Sequence, residues 1–108
     1  MELPLDITAR EISLNERQDA LIRQKAVGLE KFYGNITGCR VVIEGPGGRH
    51  RTGGPFKVRI SLAVPGDELV VDRRVQEDID TAIRKAFETM KRKLQDYARV
   101  RRHEVKTH

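Results

Sequence analysis

A chain of 108 residues with 38% hydrophobic content has the size of one domain with one modest core, and none of its apolar runs approaches the ~20 residues that span a bilayer. Its net charge of +5 is unevenly placed: Arg84 to His108 holds nine Lys/Arg against three acids, which leaves the preceding residues at −1. A single Cys rules out an internal disulfide, and the absence of Trp, with only five Phe and Tyr, argues against a sheet that reads single-stranded bases by stacking.

The opening MELPLDITAR has no basic n-region and no apolar h-region, so it does not read as a secretory signal and a cytoplasmic location is expected. Leu3, Leu5, Ile7 and Ala9 alternate with Pro4, Asp6, Thr8 and Arg10, the period of a strand with one buried face. Pro4 has no N–H to give a ladder, so it belongs at the strand's edge or start. Either Ser13 (with Glu16) or Asn15 (with Gln18) can then cap a helix. Leu21, Ile22, Ala26, Leu29, Phe32 and Tyr33 recur at helical spacing. Gly34-Asn35 offers a left-handed residue for the helix end. Gly28 inside this helix costs about 1 kcal/mol relative to Ala and is read as a close-packing point.

Cys39, Val41 and Ile43 form a second strand. Gly45 to Pro55, with five Gly and two Pro, is a glycine-rich connection carrying Arg49, His50 and Arg51. These either clamp a polyanion or solubilise a linker. Val58, Ile60, Leu62 and Val64 alternate as a third strand, Pro65-Gly66-Asp67 turns it, and Glu68 to Asp72 pairs back as a hairpin. Arg73-Arg74 precede the last helix and are either solvated or part of a basic patch. From about Glu77, the residues Ile79, Ile83, Ala86, Phe87, Met90, Leu94 and Tyr97 draw one apolar stripe down a long helix. Glu77, Asp78 and Asp80 stand at its start and Arg99 onward at its end, as the macrodipole favours.

The order β-α-β-β-β-α predicts an α+β fold in two layers: a four-stranded mixed sheet, its first two strands parallel, with two helices packed on one face. Cys39 reads as a small buried hydrophobe. No His stands where it would support a nucleophile, and His50, His103 and His108 show no metal-ligand spacing. No catalytic residue, metal, cofactor, membrane or small-molecule substrate is therefore expected. A near-neutral body with one cationic edge instead predicts a polyanionic partner, bound through phosphates and recognised by shape. The competing reading of each basic residue is local. Lys25 and Lys31 flank Glu30 and can pair with it. Arg10 can guard a strand edge. A protein-interaction module is the alternative at the level of the whole chain, with Arg40, Lys57 and Arg59 on the sheet's outer face weighing against a large apolar interface.

Several segments resemble, in order, the ribosome hibernation-promoting factor family, also called ribosome-associated inhibitors. They are Ile7-Thr8-Ala9-Arg10, KAVGLEKFY at 25–33, Asn35-Ile36-Thr37, Val64-Pro65-Gly66-Asp67-Glu68-Leu69-Val70-Val71 and Glu77-Asp78-Ile79-Asp80-Thr81-Ala82-Ile83. The resemblance implies the two-layer fold over residues 1–101, followed by a basic tail at 102–108. It implies a monomeric, non-enzymatic inhibitor that binds rRNA of the small ribosomal subunit in the mRNA/tRNA channel under stress or in stationary phase. The residues expected to meet phosphates are Arg10, Lys25, Lys31, Arg84, Lys85, Lys91, Arg92 and Arg99. Arg92 matches a basic position that repeats along the family's last helix. The chain departs from the pattern at Asp80, where Tyr is usual, at Arg84, where an acid is usual, and at Thr89 and Asp96, where Lys is common. The pattern is most similar to a subgroup that often continues into a cold-shock-like domain, which these residues do not include.

Overall fold

A computed structural model of the chain describes residues 3–45 and 55–106, with side chains to 102. The elements are β1 (Leu5–Arg10), α1 (Glu16–Phe32), β2 (Gly38–Glu44), β3 (Phe56–Val64), β4 (Asp67–Val75) and α2 (Ile79–Lys106). They form one sheet in the order β1-β2-β3-β4. β1 pairs parallel with β2, Ile7 opposite Val41, and the other pairings are antiparallel. This is the α+β arrangement that the alternation and the helical stripes predict.

Each strand turns one face to the helices. Cys39, Val41 and Ile43 of β2, Val58, Ile60, Leu62 and Val64 of β3, and Val71 of β4 are buried there. α1 contributes Leu21, Ile22, Ala26 and Leu29, and α2 contributes Ala82, Ile83, Ala86, Phe87, Met90 and Leu94. α1 lies against β1, α2 lies across β3 and β4, and the two helices touch each other. Both helices therefore share one side of the sheet, and the other side carries Asp6, Arg40, Arg59 and their neighbours. The connection at 46–54, with Arg49, His50 and Arg51, lies outside the described residues.

Local chemistry sets the boundaries. Asn15, not Ser13, caps α1: its side chain accepts from the Gln18 backbone N–H at 2.7 Å, and the Gln18 side chain accepts from the Asn15 N–H at 3.0 Å. This is a complete capping box. The end of α1 differs from expectation. The chain leaves through Tyr33 in an extended conformation (φ −142°), its N–H donating to the Leu29 carbonyl, and neither Gly34 nor Asn35 has a positive φ. The Tyr33 ring packs edge-on against Tyr97, with centroids 5.7 Å apart, a contact that the extended exit allows. The β3–β4 hairpin turns on two residues, Pro65 and Gly66, with Val64 opposite Asp67. Pro65 fixes its own φ and Gly66 takes φ 77°.

β4 is longer than the hydrophobic pattern indicates, continuing through Arg73 and Arg74 to Val75. Arg73 and Val75 fall on the helix-side face, in register with Val58 and Phe56. There the Arg73 stem lies partly buried and its guanidinium pairs with Glu77 at 3.8 Å. Asp78 caps α2, accepting from the Thr81 N–H (3.0 Å) and hydroxyl (2.8 Å), so the helix proper begins at Ile79. It then runs without a break to Lys106, a length of about 42 Å. Tyr97 donates to the Pro65 carbonyl at 2.6 Å, which pins α2 to the β3–β4 turn. The turns after Tyr97 run past that turn, with Arg99, Val100, Arg101 and Arg102 exposed.

Candidate nucleic-acid interface

The apolar stripe of α2 faces the sheet, so the rest of its circumference faces water or α1. Through residue 102, that circumference holds eight Lys/Arg against three acids. On α1, Lys25 stands four residues from both Leu21 and Leu29 and Gly28 two turns beyond Leu21, which places both on the flank beside α2.

The two flanks enclose a groove of about 420 Å³ lined by Lys25, Gly28, Arg84, Phe87, Glu88 and Lys91. Lys25 comes from one helix and Arg84 and Lys91 from the other, so three cations distant in sequence share a single cleft with one acid, Glu88. Phe87 and Leu29 form its apolar floor. Among the described ion pairs, none involves Lys25, Arg84 or Lys91. Lys91 Nζ sits 5.6 Å from the centroid of the Phe32 ring, within cation–π range. Asp80 closes the N-terminal end of the groove by pairing with Arg17 of α1 and accepting from Gln18 at 3.5 Å. A carboxylate at position 80 thus joins the two helices and leaves the cations beyond it unopposed.

Three features of this groove escape a sequence reading. Phe32 belongs to the periodic stripe of α1, yet it is 43% exposed. The chain leaves the helix at Tyr33 in an extended conformation, which sends the Tyr33 ring against Tyr97 and leaves Phe32, the last helical residue, on the surface. Gly28 is not a close-packing point: a Cβ there would meet nothing within 4 Å. Gly28 lines the groove, and its missing side chain leaves that space open. Glu88 as the groove's internal acid has no signature in sequence.

The other expected residues fall in different places. Lys31 and Arg92 are exposed on the outer surfaces of α1 and α2. Lys85 donates to Glu77 at 2.9 Å and Arg99 pairs with Asp96 at 2.5 Å, so part of their charge is met within the chain. Arg10 is not near the groove. It lies on the helix-free face of the sheet, sharing a shallow concavity with Arg40, Glu44, Lys57 and Arg59.

Cys39 is buried under the helices, and burial pushes its thiol up to about 11, which leaves it protonated and poorly nucleophilic at neutral pH. Among the described residues, no group of three or more His, Cys, Asp or Glu is arranged to hold a metal ion, and no helix is long and apolar enough to cross a membrane.

Comparison with solved structures shows the same fold in two proteins of low sequence identity. The N-terminal domain of Thermus thermophilus Protein Y matches with a TM-score of 0.70 at 15% identity, over 90% of this chain and 99% of that one. A ribosomal subunit interface protein from Coxiella burnetii matches with a TM-score of 0.74 at 10% identity, over 89% of this chain and 98% of that one. No curated protein sequence matches the chain. The family described as Sigma 54 modulation protein / S30EA ribosomal protein matches residues 5–102, from the first residue of β1 to within the exposed end of α2, and the chain belongs to that family.

Proposed function

We propose that this protein is a ribosome-associated translation inhibitor that sets its cationic helical face against rRNA of the small subunit, in the channel used by mRNA and tRNA, during stress or stationary phase. The observation that carries the reading is the groove in which Lys25 of α1 meets Arg84 and Lys91 of α2 without a carboxylate partner at ion-pairing distance. Family membership supports a ribosomal target, as does the likeness in fold to the ribosomal subunit interface protein from Coxiella burnetii.

Inhibition on this reading is occlusion. Phosphates displace counterions from the Lys and Arg side chains, which supplies affinity without sequence readout. A rigid two-layer body then fills space that messenger or tRNA needs. No bond is made or broken, so the rate of inhibition follows occupancy.

Displacement tests the channel assignment. Labelled mRNA or initiator tRNA held on isolated small subunits should be released as the protein is added, in proportion to its own binding. Stable co-occupancy of protein and both RNAs would place it elsewhere on the particle. Equal affinity for small subunits and for bulk structured RNA would favour a generic RNA-binding module.

A further inference from the structure

The helix-free face of the sheet has a charge pattern of its own. Its side chains fall in rows set by the strand register. One row is Asp6, Arg40, Ser61 and Val70, the next Thr8, Val42, Arg59 and Asp72, and the third Arg10, Glu44, Lys57 and Arg74. The first two rows are internally neutralised, Arg40 pairing with Asp6 at 3.7 Å and Arg59 with Asp72 at 3.1 Å. The third is not. It has three cations and one carboxylate, and none of the four forms an ion pair among the described residues.

We propose that the Arg10–Lys57–Arg74 row is a second phosphate-binding surface, so that the domain holds RNA on both sides of its two layers. This inference rests on the function proposed above. Strands lie about 4.8 Å apart, which places Lys57 about 10 Å and Arg74 about 14 Å from Arg10 along a straight line across the sheet. Such a line of cations suits a polyphosphate backbone crossing the strands. An acidic protein would need an apolar anchor for affinity, and Val42 and Val70 are the only large apolar side chains in the three rows. Counterion release needs cations alone.

The row and the helical groove lie on opposite sides of the sheet, so the two surfaces reach different RNA segments. Glu44 stands between Arg10 and Lys57 in the register and leaves the row with an excess of two cations. Its position also dictates the choice of variant, because Glu at 57 would face Glu44 directly and weaken the strand pair.

The test is the affinity of the full chain for isolated small subunits across a salt series, for wild type, Lys57→Gln/Arg74→Gln, and Lys57→Arg/Arg74→Lys, each checked for fold by circular dichroism. The proposal predicts that the Gln pair lowers the slope of log K against log salt by about 2, one for each phosphate-binding cation removed. The charge-preserving pair should retain the wild-type slope. An unchanged slope and affinity for the Gln pair, with binding abolished in Arg84→Glu/Lys91→Glu, overturns the second surface and leaves the helical site standing. Wild-type protein that binds no small subunits overturns both. Polyglutamate that competes as strongly as RNA of equal charge against the wild type, but not against the Gln pair, assigns the row to an acidic protein and overturns the proposal as well.

Discussion

Cys39 sits on β2 beneath the helices at 5% exposure, and its thiol is held up to about 11 because burial disfavours the thiolate. The folded state therefore keeps a proton that the unfolded chain releases near pH 9. By linkage, the contribution of this group is intact below about pH 9 and falls away as pH rises toward 11. Native protein should react with a thiol reagent at neutral pH far more slowly than protein in denaturant; equal rates would mean that Cys39 is not buried. Gly28 gives a prediction of the opposite kind. A Cβ there meets no neighbour, so Gly28→Ala should raise stability by about 1 kcal/mol in a denaturant titration, as helix propensity alone dictates. A loss of stability would show that the site is crowded. Both residues mark what a sequence can convey. The alternation around Cys39 announces its burial, whereas whether Gly28 is a contact or a gap depends on what the other helix places beside it, which no local pattern encodes.

At the scale of elements, the cap of α2 has a definite pH signature. Hydrogen bonds from the Thr81 N–H and hydroxyl hold the Asp78 carboxyl below its ordinary value. Its contribution to stability is present above the unfolded carboxylate pKa and is lost as pH falls through and below that range. Asp78→Asn keeps a capping oxygen but removes the charge. Its melting temperature should lie below wild type at neutral pH and converge with it in acid; a constant difference across pH would exclude the charged cap. The stripe of α2 carries more. Leu94 is fully buried, and Leu94→Ala should cost about 2–5 kcal/mol in denaturant unfolding. The strands, both helices and the parallel β1–β2 pairing are legible because each element has a single apolar face. The last third of β4 is not, since Arg73 occupies a core-side position by burying its stem and pairing its head with Glu77, so a charged residue stands where the period calls for an apolar one. The exit of α1 is also hidden, because the Tyr33–Tyr97 contact joins residues far apart in sequence.

At the scale of the whole molecule, the fold converts a charge bias at one end of the sequence into a field on one side of a body. α2 must lay its stripe on β3 and β4, and this turns its cations outward and toward α1, where Lys25 joins Arg84 and Lys91. The excess charge of α2 is legible from composition. Its distribution is not, because Asp80, Glu77 and Asp96 each select a partner through tertiary or helical geometry. Arg10 shows the same limit: its place at the end of β1 follows from alternation, but its neighbours on the helix-free face follow from strand register. The pairing also ranks the expected residues. Lys85 and Arg99 already have carboxylate partners, so a Lys85→Glu/Arg99→Glu chain should lose less ribosome affinity than Arg84→Glu/Lys91→Glu. The most direct measurement is sucrose-gradient cosedimentation with small ribosomal subunits at two salt concentrations. Wild-type protein should travel with the subunits at low salt and leave them at high salt, and folded Arg84→Glu/Lys91→Glu should remain at the top of the gradient in both. Cosedimentation of that variant at the wild-type level, or binding indifferent to salt, would contradict the assignment of this helical face to rRNA.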